Sequence, residues 1–119
     1  MRLLLVLTFL WVQDPSFDQV KAKIALHESS HGKYKVHFNV NKTADCGLYQ
    51  INSSHFISLD STEVTLAFDK IFKKYKVGKR LHSRVVAAIV DDKLNEELAR
   101  KLYEMRGLKS WTSSRKFIK

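Results

Sequence analysis

Residues 45–53 read Asp45-Cys46-Gly47-Leu48-Tyr49-Gln50-Ile51-Asn52-Ser53, and seventeen positions before Asp45 stands the pair Glu28-Ser29. Glu28 lies in the last turn of a stretch, SFDQVKAKIALHESS from Ser16 to Ser30, that reads as a helix. Ser16 and Gln19 make a capping box, Asp18 suits the positive end of the dipole, and His31-Gly32 supply a stop. Phe17, Val20, Ile24 and Glu28 recur at helical spacing, so Glu28 falls on the apolar stripe in the last turn. A solvated carboxylate belongs on the opposite face, with Lys21 and Lys23. Desolvation disfavours the charged form of an acid on such a stripe and keeps it protonated to higher pH. Asp45 lies instead at the end of a polar turn, NKTAD, where a carboxylate stays ionised.

Outward from these blocks the pattern changes twice. From Gly32 to Asn41 it alternates, with Tyr34, Val36, Phe38 and Val40 against Lys33, Lys35, His37 and Asn39. A period of two predicts a short strand with one buried face. The run CGLYQINSSHF is a short apolar element whose type the pattern leaves open. Asp60 or Ser61 is the expected cap of a second helix, with Val64, Phe68, Ile71 and Tyr75 on one face and Gly78 beyond its end. The segment from His82 to Val90 reads as helix in preference to strand. Asp91 or Asp92 opens a further helix, whose stripe Leu94, Leu98, Leu102 and Met105 runs to Gly107. The expectation is a small, mostly helical α+β domain with a short β element.

At 119 residues the chain has room for one such domain. Its 45% hydrophobic and 28% charged residues argue against disorder, collagen-like repeats and a multi-pass membrane protein. The opening MRLLLVLTFLWV places one positive residue before an apolar run too short to span a bilayer, which suits a signal peptide over residues 1–12. The QDPSF that follows lacks the usual small-x-small cleavage pattern, so a buried or amphipathic first helix is the alternative. Residues 13–119 then form the domain. Twenty-one Lys and Arg against 12 Asp and Glu give a net charge of +9, which attracts a polyanion: nucleic acid, an anionic membrane or an acidic wall polymer. Cys46 is the single cysteine, so no intrachain disulfide is available and the disulfide-stapled secreted scaffolds are excluded. With no Lys or Arg flanking it, Cys46 reads as a small buried hydrophobe.

Cleaving a glycosidic bond needs two carboxyl groups in contrasting settings. One donates a proton to the leaving oxygen and the other stabilises positive charge on the sugar. Glu28 and Asp45 meet that description, although a Glu and an Asp at some spacing occur in any protein. The residues around them narrow the field. Glu28-Ser29 followed by Gly47-Leu48-Tyr49-Gln50-Ile51-Asn52 resembles the active-site signature of the lysozyme-like superfamily, shared by chicken-type lysozymes and soluble lytic transglycosylases (the SLT domain). Asn39, Asn41 and the interval between Glu28 and Asp45 are closest to the chicken-type pattern. So is the later stretch with Ala99, Lys101, Gly107, Trp111 and Arg115. With gaps, the resemblance runs from residue 16 to residue 115. It departs in having no disulfides, in reading Trp111-Thr112-Ser113-Ser114-Arg115 where transglycosylases carry an Ala-Tyr-Asn-Ala-Gly-like block, and in being short between Ser53 and Leu94. A lysine-rich chain without disulfides points to a bacterial or phage-borne member.

The resemblance implies a peptidoglycan-cleaving muramidase acting on the β-1,4 bond between N-acetylmuramic acid and N-acetylglucosamine, without metal or organic cofactor. It implies catalytic roles for Glu28, as acid and then base, and for Asp45, as stabiliser or nucleophile. It further implies substrate-binding roles for Ser29, Gln50, Asn52 and Trp111, with Trp111 also walling Glu28. Each residue has a plainer alternative. Glu28 can be a capped or ion-paired helix-end carboxylate, Asp45 can bond its own turn, Gln50 and Asn52 can satisfy local backbone, Ser29 can be a helix-end hydroxyl, and Trp111 can fill the core. Tyr49 stands where relatives are apolar, so it reads as core. The histidines at 27, 31, 37, 55 and 82 show no ligand motif, and no metal is expected. Lys70, Lys73, Lys74, Lys76, Lys79 and Arg80 read as a solvated helix face able to hold anionic wall polymer. The expected partner is the glycan strand, the expected state a monomer without a membrane span, and the expected place secreted or periplasmic, or in a phage virion or lysis system. Nucleic acid is the less favoured partner. The rival reading is a non-catalytic basic protein on a lysozyme-like scaffold, binding wall, nucleic acid or membrane.

Overall fold

The computed structural model describes residues 15–57 and 62–111; the apolar segment 1–12, the expected caps Asp60 and Ser61, and Arg115 lie outside them. Helix α1 spans Phe17–Ser29 and opens as expected, with the Ser16 amide donating to Gln19 Oε1 at 2.9 Å. Phe17, Val20 and Ile24 are buried along it. The helix stops one residue before the expected signal: Ser30, His31 and Gly32 all take left-handed backbone, with φ of 52°, 57° and 91°. The Ser30 and His31 amides reach back to the Leu26 and Ala25 carbonyls, both at 3.1 Å, and so satisfy the last turn.

Three short strands follow, β1 (Val36–Phe38), β2 (Ala44–Cys46) and β3 (Ile51–Asn52), antiparallel and in that spatial order. The NKTAD turn closes the first hairpin, with the Asn39 amide donating to the Thr43 carbonyl at 2.8 Å. The register sets His37 opposite Asp45 and Asp45 opposite Asn52, so these three share one face. Cys46 and Ile51 pair on the other face and are buried in the core.

The alternation from Tyr34 to Val40 gives a strand, but not the buried face expected of it. Tyr34 is 61% exposed, Phe38 75% and Val40 fully so. β1 is an edge strand, and the helices pack mainly against β2 and β3. A period of two records which side chains point the same way; it does not record whether anything packs on them.

Helix α2 (Glu63–Lys74) is capped by Thr62, whose Oγ1 accepts the Thr65 amide at 3.2 Å, and not by Asp60 or Ser61. Helix α3 covers Leu81–Val90, and α4 covers Asp92–Arg106 with Asp91 accepting the Lys93 and Leu94 amides at 3.1 Å. Leu94, Leu98 and Leu102 of α4 are buried, whereas Met105 ends the stripe half out of the core. α4 is the central element, packed against α1, α2, α3 and β3. Phe56, Phe68 and Phe72 fill one end of the core, with the Phe68 and Phe72 ring centroids 6.3 Å and 5.2 Å from that of Phe56. Phe17, Tyr49 and Tyr103 fill the other. The architecture is the mostly helical α+β domain with a small sheet that the patterning predicts.

Candidate functional site

The turn from Gly47 to Gln50 joins β2 to β3 and is clamped from three sides. The buried Asn95 amide of α4 donates to the Cys46 carbonyl at 2.8 Å and to Ala88 at 2.9 Å, while its oxygen accepts the Tyr49 amide at 2.8 Å. The Trp111 indole donates to the Tyr49 carbonyl at 2.8 Å. Ser29, at the end of α1, donates to the Leu48 carbonyl at 2.6 Å and accepts the Gly32 amide at 2.9 Å. Gly47 is required by both backbone and space. Its φ is +80°, and a Cβ there would lie 2.2 Å from Asn95 Nδ2 and 2.3 Å from the Ala88 carbonyl oxygen.

These clamps bring the end of α1, the sheet and the C-terminal part of the described chain together around a cavity of about 280 Å³. Glu28, Asp45, Gln50, Asn52 and Trp111 all line it. Asp45 is half-buried and receives a hydrogen bond from Asn52 Nδ2 at 2.8 Å. The other face of the Asn52 side chain accepts the Ser54 amide at 3.0 Å and starts a 3-10 turn, Ser53–His55. Gln50 holds left-handed backbone at φ 51°, and its Nε2 donates to the Gly47 carbonyl at 3.0 Å. Its Oε1 has no hydrogen-bond partner among the described residues. The two amides therefore serve the local backbone and line the cavity at once. Trp111 is buried and likewise both fills the core and walls the cavity. Ser29 is the exception: its hydroxyl is taken up by backbone groups and it does not line the cavity, so it positions the turn and does not face a ligand.

His55, Leu102 and Ser110 complete the lining; in the sequence His55 reads only as a candidate metal ligand and Leu102 only as core, and none of the three is assigned to this site. Asn52 as cap of the 3-10 turn is the signal that would have found His55, since it sets His55 one turn beyond a cavity residue. Leu102 belongs to the α4 stripe and reads as core. Ser110 carries no local signal. Burial holds the His55 imidazole below its usual range, and Arg106 adds to this by repulsion, so the ring is neutral at neutral pH. Burial pushes the Cys46 thiol up to about 12, with Asp45 adding to it. A thiol so suppressed is no nucleophile, in keeping with its reading as a small core residue.

A larger depression of about 700 Å³ between α2 and α4 offers no comparable chemistry. Two of its carboxylates are held in ion pairs, Glu97 with Lys74 at 2.5 Å and Glu104 with Lys101 at 3.6 Å. Among the described residues no three His, Cys, Asp or Glu side chains converge to hold a metal, and no helix is long and apolar enough to cross a membrane. Comparison of the chain with protein-family models, curated proteins and solved structures finds no match.

Proposed function

We propose that the chain is a peptidoglycan muramidase that cuts the β-1,4 bond between N-acetylmuramic acid and N-acetylglucosamine in the Glu28–Asp45 cavity. The observation that carries this reading is the convergence on one cavity of two carboxylates from separate elements, the end of α1 and β2, beside two amides and a tryptophan. Glu28 donates its proton to the glycosidic oxygen as the bond to the leaving sugar breaks, and afterwards serves as base. Asp45, held in place by Asn52, stabilises the oxocarbenium-like centre or bonds to it. Gln50 Oε1 accepts from a sugar hydroxyl or acetamide N–H, and Trp111 shields Glu28 from water. If water then attacks the sugar, the product is a reducing muramic end; if the 6-hydroxyl of the same sugar attacks, it is the 1,6-anhydro end. Neither route calls for a metal or organic cofactor. The substrate places the enzyme outside the cytoplasmic membrane, secreted or periplasmic, or in a phage.

Mass spectrometry of muropeptides released from purified peptidoglycan tests the reading, with Glu28→Gln as the control. The wild type should release muropeptides and the folded variant none. Reducing ends assign Asp45 a part in hydrolysis, and anhydro ends, one water lighter, assign a transglycosylase. No product from folded wild-type protein would sink the enzyme in favour of a basic binding protein on the same scaffold.

A further inference from the structure

A second cavity, about 420 Å³, lies where α2 ends and the chain turns towards α3, and it shares no lining residue with the Glu28 cavity. Lys70, Lys73, Lys76 and Lys79 line it together with Asp69 and Arg84. The Arg84 side chain is buried, with 4% exposure, and serves as the scaffold. Its Nε donates to the Gly78 carbonyl at 3.1 Å, and its Nη1 donates to Asp69 at 2.6 Å and to the Phe56 carbonyl. The one carboxylate of the cavity is thus matched from inside. All four lysines are exposed, and none has an ion-pair partner among the described residues. Four unmatched ammonium groups around one hollow repel one another, and a polyanion relieves that repulsion.

The spacing and the lining say which polyanion. The lysines recur every third residue, so those on α2 are about 4.5 Å apart along its axis, and the series continues through the loop. A strip of this kind meets successive charges on a chain better than it meets a single small anion. Apart from Val77 and Gly78 the lining is charged, with no aromatic ring to stack a base and no amide to read one. A stiff duplex does not enter a hollow, whereas a flexible chain does. We propose that this cavity binds the phosphates of an aliphatic phosphodiester polymer of the polyol-phosphate kind found in bacterial walls. The wall as its source rests on the muramidase reading; the anion chemistry does not.

The test is titration of the full chain with poly(glycerol phosphate) free of peptidoglycan, followed by calorimetry at low and moderate salt. Binding should weaken by about tenfold or more as salt rises, as expected when several phosphates are neutralised. Replacing Lys70, Lys73, Lys76 and Lys79 together by Gln should weaken it by about tenfold or more at fixed salt, since the ammonium groups supply the attraction. Removing the same charge elsewhere, at Lys23, Lys33, Lys42 and Lys109, none of which lines the cavity, should leave it within about threefold at moderate salt, where screening confines the attraction to nearby charges. Equal weakening in the two variants, or no binding by wild type, overturns the inference. So does tighter binding of a single-stranded oligonucleotide through the same four lysines, which would reassign the cavity to nucleic acid. Polymer binding that depends on these lysines in a chain that releases no muropeptides would uphold the polyol-phosphate site while the muramidase reading, and with it the wall as source, fails.

Discussion

The side-chain amide of Asn95 donates two hydrogen bonds and accepts one, all to backbone groups of other segments, at a point closed to water. Removing it strands two carbonyls and an amide, each of which costs about 1–3 kcal/mol when buried without a partner. Asn95→Ala should therefore lower the unfolding free energy by about 3 kcal/mol or more, read from urea denaturation. Asn95→Asp, nearly the same shape, should be at least as damaging at neutral pH, because it turns the donors that face Cys46 and Ala88 into acceptors. It should recover in part at acid pH, where a protonated carboxyl can donate to one of them. Gly47→Ala places a methyl group within 2.3 Å of both Asn95 and Ala88 and should abolish the turn or the fold. None of this was legible in the sequence. An Asn one position from a leucine stripe looks like any solvated amide, and its partners lie 46 and 49 residues away. Glu28 was legible because its own helix puts it on the wrong face for a free carboxylate.

At the scale of elements, the helices and their stripes follow from a periodicity that each segment carries within itself. Coverage of a strand does not, since it depends on what the rest of the chain packs against it. The hairpin shows the difference. Phe38→Ser and Val40→Ser should each change thermal stability by less than about 0.5 kcal/mol, as expected for exposed positions. Ile51→Ala, at a buried position of the same sheet, should cost about 2–5 kcal/mol. Scanning calorimetry of the three variants measures both. Thr62 in place of Asp60 or Ser61 as the cap of α2 is a smaller instance. Three good capping residues stand near one another there, and only the helix's own burial pattern, beginning at Val64, decides among them.

For the whole molecule, His55, Cys46 and Tyr49, whose shifts come first from burial, tie stability to pH. The folded-state pKa of His55 is depressed, so its contribution is intact above about 6.5 and is lost as pH falls below that value. Cys46 is raised from 9.0 to about 12, and burial with the Glu96 hydrogen bond also raises Tyr49 from 10.0. The Cys46 contribution is intact below pH 9 and is lost as pH rises towards about 12; that of Tyr49 is intact below pH 10 and is lost above it. The melting temperature should hold a plateau between these limits. On the alkaline side stability should fall by about 1.4 kcal/mol per pH unit for each titrating group, and Cys46→Ala should make that decline shallower. Calorimetry from pH 4 to 11 checks the profile.

The order in which the chain is made bears on the clamp around residues 47–50. Glu28 and Asp45 leave the ribosome well before Asn95 and Trp111, the two side chains from the later half that fasten the turn between them and the core. Until those arrive, the nascent chain has both acids and no cavity to hold them in register. On the proposed muramidase reading, the site is therefore incomplete throughout synthesis and is assembled only when α4 docks and Trp111 follows it.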